Sequence, residues 1–118
     1  MTAPAPETSA AEARRTEPGR ILVFTVEGQE YGVPLEPVVE IVRHRSATPV
    51  PYAGPEIEGI VPLRGRMVTL FDVRRFLGRP PRPAAGRAQV IVIDSSGDLL
   101  GLVVDMVTRV AVLPAGAP

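Results

Sequence analysis

The stretch Val90-Ile91-Val92-Ile93-Asp94-Ser95-Ser96-Gly97-Asp98-Leu99-Leu100-Gly101-Leu102-Val103-Val104 decides the fold class. Its first four residues are all β-branched, which costs rotamer freedom in a helix and suits a pleated surface. Ser95 to Asp98 supply turn chemistry, and the chain returns through Leu99 to Val104. Asp105 lies near a joint, after which Met106 to Leu113 makes another strand. Asp94, Ser95, Ser96 and Asp98 also suggest a cation loop, but the terminal Glu and ligand spacing of an EF-hand are missing, and the turn reading is the stronger.

Further toward the N-terminus, Pro80, Pro81 and Pro83 with Ala and Gly make Arg79 to Arg87 a linker between two blocks of strands. The earlier block holds a strand at Gly59 to Leu63, a turn at Arg64-Gly65, a strand at Arg66 to Asp72 and a helical turn at Val73 to Leu77 closing on Gly78. Three prolines between Thr48 and Pro55 predict an extended loop. Pro34 to Arg45 fits a short helix or a strand equally well. Ile21 to Val26 is apolar on both faces, as a central strand is, and Gly28-Gln29 connects it tightly to Tyr31-Gly32-Val33. Residues 1–19 lack the large apolar side chains that repay ordering and read as a disordered tail, leaving 20–118 as the folded domain. About eight short strands without a long helix predict an all-β barrel or a pair of small barrels.

Composition narrows the chemistry. There is no cysteine, and His44 is the single histidine, which removes thiolate sites and any site needing two imidazoles. None of Ser9, Ser46, Ser95 and Ser96 lies in a Gly-x-Ser-x-Gly elbow, and no phosphate-cradling glycine loop is present. No enzyme activity, metal or cofactor is expected. Thirteen basic residues, all arginine, balance thirteen acids, so no net field draws the chain to polyanions. The arginines at 74, 75, 79, 82 and 87 leave one alternative function open, a small nucleic-acid-binding β-barrel using the 74–87 stretch. No apolar stretch reaches the roughly 20 residues of a membrane helix, and no signal peptide is apparent, so a cytoplasmic protein without membrane insertion is expected.

Two charges sit among apolar neighbours. Glu40 lies within Val38-Val39 and Ile41-Val42, and Arg64 lies between Leu63 and Gly65. Each can point to water, or the two can pair, which is what burial would demand of both.

The order of these pieces resembles the CheW family, the adaptor domains of bacterial chemosensory arrays. The resemblance covers residues 20 to 113 through Ile21-Leu22-Val23-Phe24, Glu30-Tyr31-Gly32-Val33-Pro34, Val39-Glu40-Ile41-Val42, Gly59-Ile60-Val61-Pro62-Leu63-Arg64-Gly65, Val68-Thr69-Leu70-Phe71-Asp72-Val73-Arg74 and Gly101-Leu102-Val103-Val104-Asp105-Met106-Val107. It implies two linked SH3-like β-barrels and a non-catalytic adaptor at receptor arrays. The cytoplasmic tip of a methyl-accepting receptor would enter a groove between the barrels, lined or supported by Val38, Ile41, Gly59 and Leu63. Glu40 and Arg64 match the family's acid and its Leu-Arg-Gly arginine, which favours their pairing. The regulatory domain of a CheA-type kinase, or another CheW-like adaptor, would be further partners. Pro62 departs from the family's usual Asn, removing a backbone donor. Typical members also continue beyond the position matching Pro118, so the resemblance implies an abbreviated type like the short adaptors of the Frz pathway, with an incomplete last strand region and weakened or lost kinase binding.

Overall fold

The structure, a computed structural model, describes residues 19–83 and 87–113. Along them run β1 (Gly19–Val26), β2 (Gln29–Pro34), β3 (Val38–Arg43), β4 (Ile57–Leu63), β5 (Arg66–Asp72), a one-turn helix α1 (Val73–Phe76), β6 (Gln89–Ser95), β7 (Asp98–Val104) and β8 (Met106–Leu113). They form a three-stranded sheet in the order β2-β1-β8 and a five-stranded sheet in the order β3-β6-β7-β5-β4. All neighbours are antiparallel except β5 and β7, which run parallel.

Three hairpins share one device. Glu27-Gly28, Arg64-Gly65 and Ser96-Gly97 each place two consecutive residues at positive φ between paired strand ends. That is the two-residue loop whose twist matches the flanking strands. Asp94 Oδ1 braces the last of them by accepting the Gly97 amide at 2.9 Å, so Asp94 to Asp98 is a hairpin turn. The first turn falls one residue earlier than Gly28-Gln29, because Gln29 already pairs with Val26.

The five-stranded sheet curls until its edges meet. Thr48, five residues beyond β3, exchanges two backbone hydrogen bonds of 2.9 Å with Ile60 of β4 and closes the barrel. Val61, Val68, Leu70, Val90, Val92 and Val103 fill the interior, leaving free space of about 10 Å³. That is room for about one water, so the barrel is a packed core and not a ligand chamber. On its outer face, Ile91, Val104 and Val73 meet Leu22, Phe24 and Val26 of the three-stranded sheet in a second core. The Val90 to Ile93 run is thereby explained. Alternate residues enter alternate cores, each fully buried side chain stabilising the fold by roughly 1.5–3 kcal/mol.

Gly101 faces the barrel interior, where an added Cβ would lie 2.7 Å from Val90 Cγ1 and 2.8 Å from Leu70 Cδ2. Gly101→Ala should therefore lower stability by about 1–3 kcal/mol through overpacking, read by urea denaturation. An unchanged denaturation midpoint would show that the barrel gives way at no cost.

The structure settles or corrects four expectations. The Pro34 to Arg45 ambiguity resolves to a strand, because β3 finds a partner in β6, with a bulge between Val38 and Glu40. The proline linker does not divide the chain into two units. β6 and β7, which follow it, join β3, β4 and β5 in one barrel, while β8 returns to β1. The expected tail at 1–19 lies outside the described residues except for Gly19, which opens β1 opposite Leu113. Pro62 sits on edge strand β4, where a missing donor is best tolerated.

Candidate interaction site between the two sheets

β3 forms one side of the barrel seam. Glu40 shares a strand face with Val42, which packs against the barrel core, so its stem lies at the barrel rim. The Arg64-Gly65 turn swings Arg64 across the seam, and its guanidinium meets Glu40 in a bidentate pair at 2.9 and 3.1 Å. The Glu40 side chain is 23% exposed and that of Arg64 75%. The hydrogen bonds and charge of Arg64 hold the Glu40 carboxyl below the usual glutamate range. Because water reaches the arginine, removing it does not strand a buried acid, and the large stability loss that burial would bring is not expected.

The four groove residues fall into two places. Val38 joins the core between the sheets, and Ile41 pairs with Ile91 on that same face but stays 40% exposed. Gly59 and Leu63 belong instead to the barrel seam. Leu63 packs against the barrel core, and Gly59 lies buried beneath the Thr48 backbone. His44 is held by Glu58, 2.7 Å away, and so is engaged in a local pair.

Beyond the Arg43 end of β3 a cleft of about 480 Å³ opens between the sheets, lined by Arg43, His44, Arg87, Gln89 and Met106. Gln89 fastens it, since its side-chain oxygen accepts the Val107 amide at 2.7 Å and so ties β6 to β8. Met106 is exposed there, and nothing in the sequence except its place after Asp105 marked it.

The joint itself is a charged hub. Asp105 accepts two hydrogen bonds from Arg74 at 2.7 and 3.0 Å and one from the Glu27 amide at 2.7 Å. Arg82 approaches from the linker, 3.6 Å from Asp105 and 4.0 Å from Asp72. Arg74 also donates to the Pro80 carbonyl, while Arg79 reaches Glu27 and Tyr31. Burial by itself would raise the Asp105 pKa, but the hydrogen bonds from Arg74 and the Glu27 amide and the charges of Arg74 and Arg82 bring it below the ordinary aspartate range. The hub removes the basis for the nucleic-acid alternative. Arg74 and Arg82 are largely covered and face acids, and Arg79 is paired, which leaves Arg75 and Arg87 of the five projecting into water.

Known proteins resemble this chain in sequence and in fold. The CheW-like domain matches residues 20–115. The chain is 30% identical to the chemotaxis protein CheW of Bacillus subtilis over 73% of its own length and 55% of the relative's. With CheW of Rhizobium meliloti the identity is 30% over 87% of this chain and 66% of the relative. FrzA of Myxococcus xanthus is 29% identical over 93% of this chain and 68% of that protein. The crystal structure of the scaffolding protein TtCheW from Thermoanaerobacter tengcongensis superposes with a TM-score of 0.74 at 31% identity, covering 83% of this chain and 67% of that one. The chain thus spans a little over half to about two thirds of the length of these relatives. No helix among the described residues is long and apolar enough to cross a membrane. The match over residues 20–115, together with the structural likeness to TtCheW, makes this chain a member of the CheW-like domain family.

Proposed function

We propose that this chain is a non-catalytic chemosensory adaptor that binds the cytoplasmic tip of methyl-accepting receptors between its two sheets and adjusts their coupling to a CheA-type kinase in cytoplasmic arrays. The observation that carries the reading is the partly open face between the sheets, where Ile41 stands exposed beside the half-buried Val38 and the buried Ile91. An amphipathic helix from a receptor hairpin suits such a face, anchoring an apolar side chain on Ile41. The Glu40–Arg64 pair acts as a polar contact at the rim, with Gly59 and Leu63 supporting the strand that carries it. Binding changes kinase output by favouring one array state over another, and individually weak contacts suffice where many sites adjoin.

The test is co-sedimentation with receptor signalling fragments assembled on a template, with and without the kinase's regulatory domain. Receptor binding is expected, and its absence would overturn the reading. Recruitment of the kinase domain would mark an ordinary coupling adaptor, while binding to receptor alone would mark an adaptor that modulates or competes. Ile41→Lys should weaken receptor binding by about tenfold or more with little change in melting, because the residue is already exposed. In a double-mutant cycle, Arg64→Ala and Glu40→Ala should each change melting only slightly yet show coupled effects on receptor binding. Additive effects would eliminate the pair as a functional unit.

A further inference from the structure

β3 and β6 change character along one face. Residues paired across an antiparallel ladder point the same way, so Ile41 with Ile91 and then Arg43 with Gln89 stand in succession on the face turned toward the second sheet. The His44 amide donates to the Ala88 carbonyl, carrying the pairing one step further, and Arg87 follows at the mouth of the cleft. The face thus passes from apolar at Ile41 to basic at Arg43 and Arg87. Both arginines are exposed, and among the described residues neither is in an ion pair. The acids nearby are committed elsewhere. Asp105, in the cleft wall, is held by Arg74 and Arg82, and Glu58 is held by His44. Met106, 57% exposed, adds an apolar surface from β8.

We infer that Arg43 and Arg87 take a carboxylate from the same partner helix that seats an apolar side chain on Ile41, so that the cleft selects receptors by charge. The inference rests on the receptor-binding reading above and adds an acid to it. Spacing carries it. Two residues along a strand span about 6.7 Å and one helical turn rises about 5.4 Å, so a helix lying along β3 with its anchor on Ile41 brings the residue a turn away to Arg43. Guanidinium groups suit a carboxylate, which accepts two parallel hydrogen bonds from each fork, and Met106 and the arginine stems receive the methylenes of a glutamate. The Glu40–Arg64 pair is a separate feature, since Glu40 lies on the opposite face of β3 with Val42 and is already satisfied. Charges at an exposed rim act on selectivity and association rate, not on folding.

The test uses the full chain and receptor signalling fragments assembled on a template. Binding of the unmodified chain should weaken between about 0.05 and 0.5 M salt. At the lower salt, Arg43→Glu combined with Arg87→Glu should weaken it by about tenfold or more while leaving melting unchanged. Replacing the acidic residues of the receptor tip by Lys, one at a time, should then yield a substitution that weakens binding of the unmodified chain and recovers binding of the doubly reversed one. That exchange reports contact directly, whatever else touches the arginines. Unchanged binding after reversal, or the lack of any recovering substitution, would overturn the inference. Ile41→Lys separates it from the reading it rests on. Loss of binding in Ile41→Lys but not in the arginine reversal leaves the receptor site standing without the acid, whereas an unmodified chain that binds no receptor sinks both.

Discussion

Gly59→Ala is expected to destabilise the protein by about 3–5 kcal/mol, a large part of the stability of any small domain. Two costs coincide at this position. Its φ of +147° is a conformation that residues with a Cβ rarely adopt, and such strain costs roughly 1–3 kcal/mol. An added Cβ would also fall on the Thr48 carbonyl group, which is backbone and cannot rotate away. Relief would have to break the Thr48–Ile60 bridge that closes the barrel. Gly65→Ala is the matched control, since its φ is also positive at +80° but nothing lies within 4 Å of an added Cβ, so it should lose only about 1–2 kcal/mol. Equal losses in the two variants, read by urea denaturation, would show that the close approach to Thr48 contributes nothing.

Asp105→Asn should cost about 3 kcal/mol. The amide keeps the shape but leaves the largely covered Arg74 and Arg82 without their main counter-charge, and removing one partner of a buried pair costs roughly 3–5 kcal/mol. The lower end applies because the Asp105 side chain is still 20% exposed. The pH dependence gives an independent reading. The Asp105 pKa is lowered in the folded protein, so its contribution is fully present above the unfolded value of about 4 and is lost as pH falls through the folded value. Stability of the unmodified protein should fall across that acidic window, and the Asp105→Asn variant should show a shallower fall. Parallel curves would mean that the hub does not titrate as its hydrogen bonds require.

These two residues also divide what was legible from what was not. The β-branched run at Val90 to Ile93 and the X-Gly turns announce themselves because they depend on neighbours in sequence. Gly59 was assigned to a groove on resemblance, and its seam role stayed hidden because the atom it must avoid belongs to Thr48, eleven residues away in another strand's extension. Asp105 reads as a joint, yet its partners come from the Glu27 turn, from α1 and from the proline linker. The arginines between 74 and 87 were open to a nucleic-acid reading for the same reason. A run of arginines looks solvated until the acids that bury them are known.

Sequence by itself determined the all-β class, most strand positions, the hairpin turns and the family resemblance, since each is written in residue period, turn chemistry and the order of short motifs. Strand partners were decided only by the tertiary structure. A β-ladder is satisfied by any strand of suitable length and pattern, so the sequence does not say that β7 lies parallel to β5 or that β8 crosses back to β1. The exposure of Arg64 and the covering of Arg74 and Arg82 follow from that choice of partners. Each depends on which distant segment arrives at the same place.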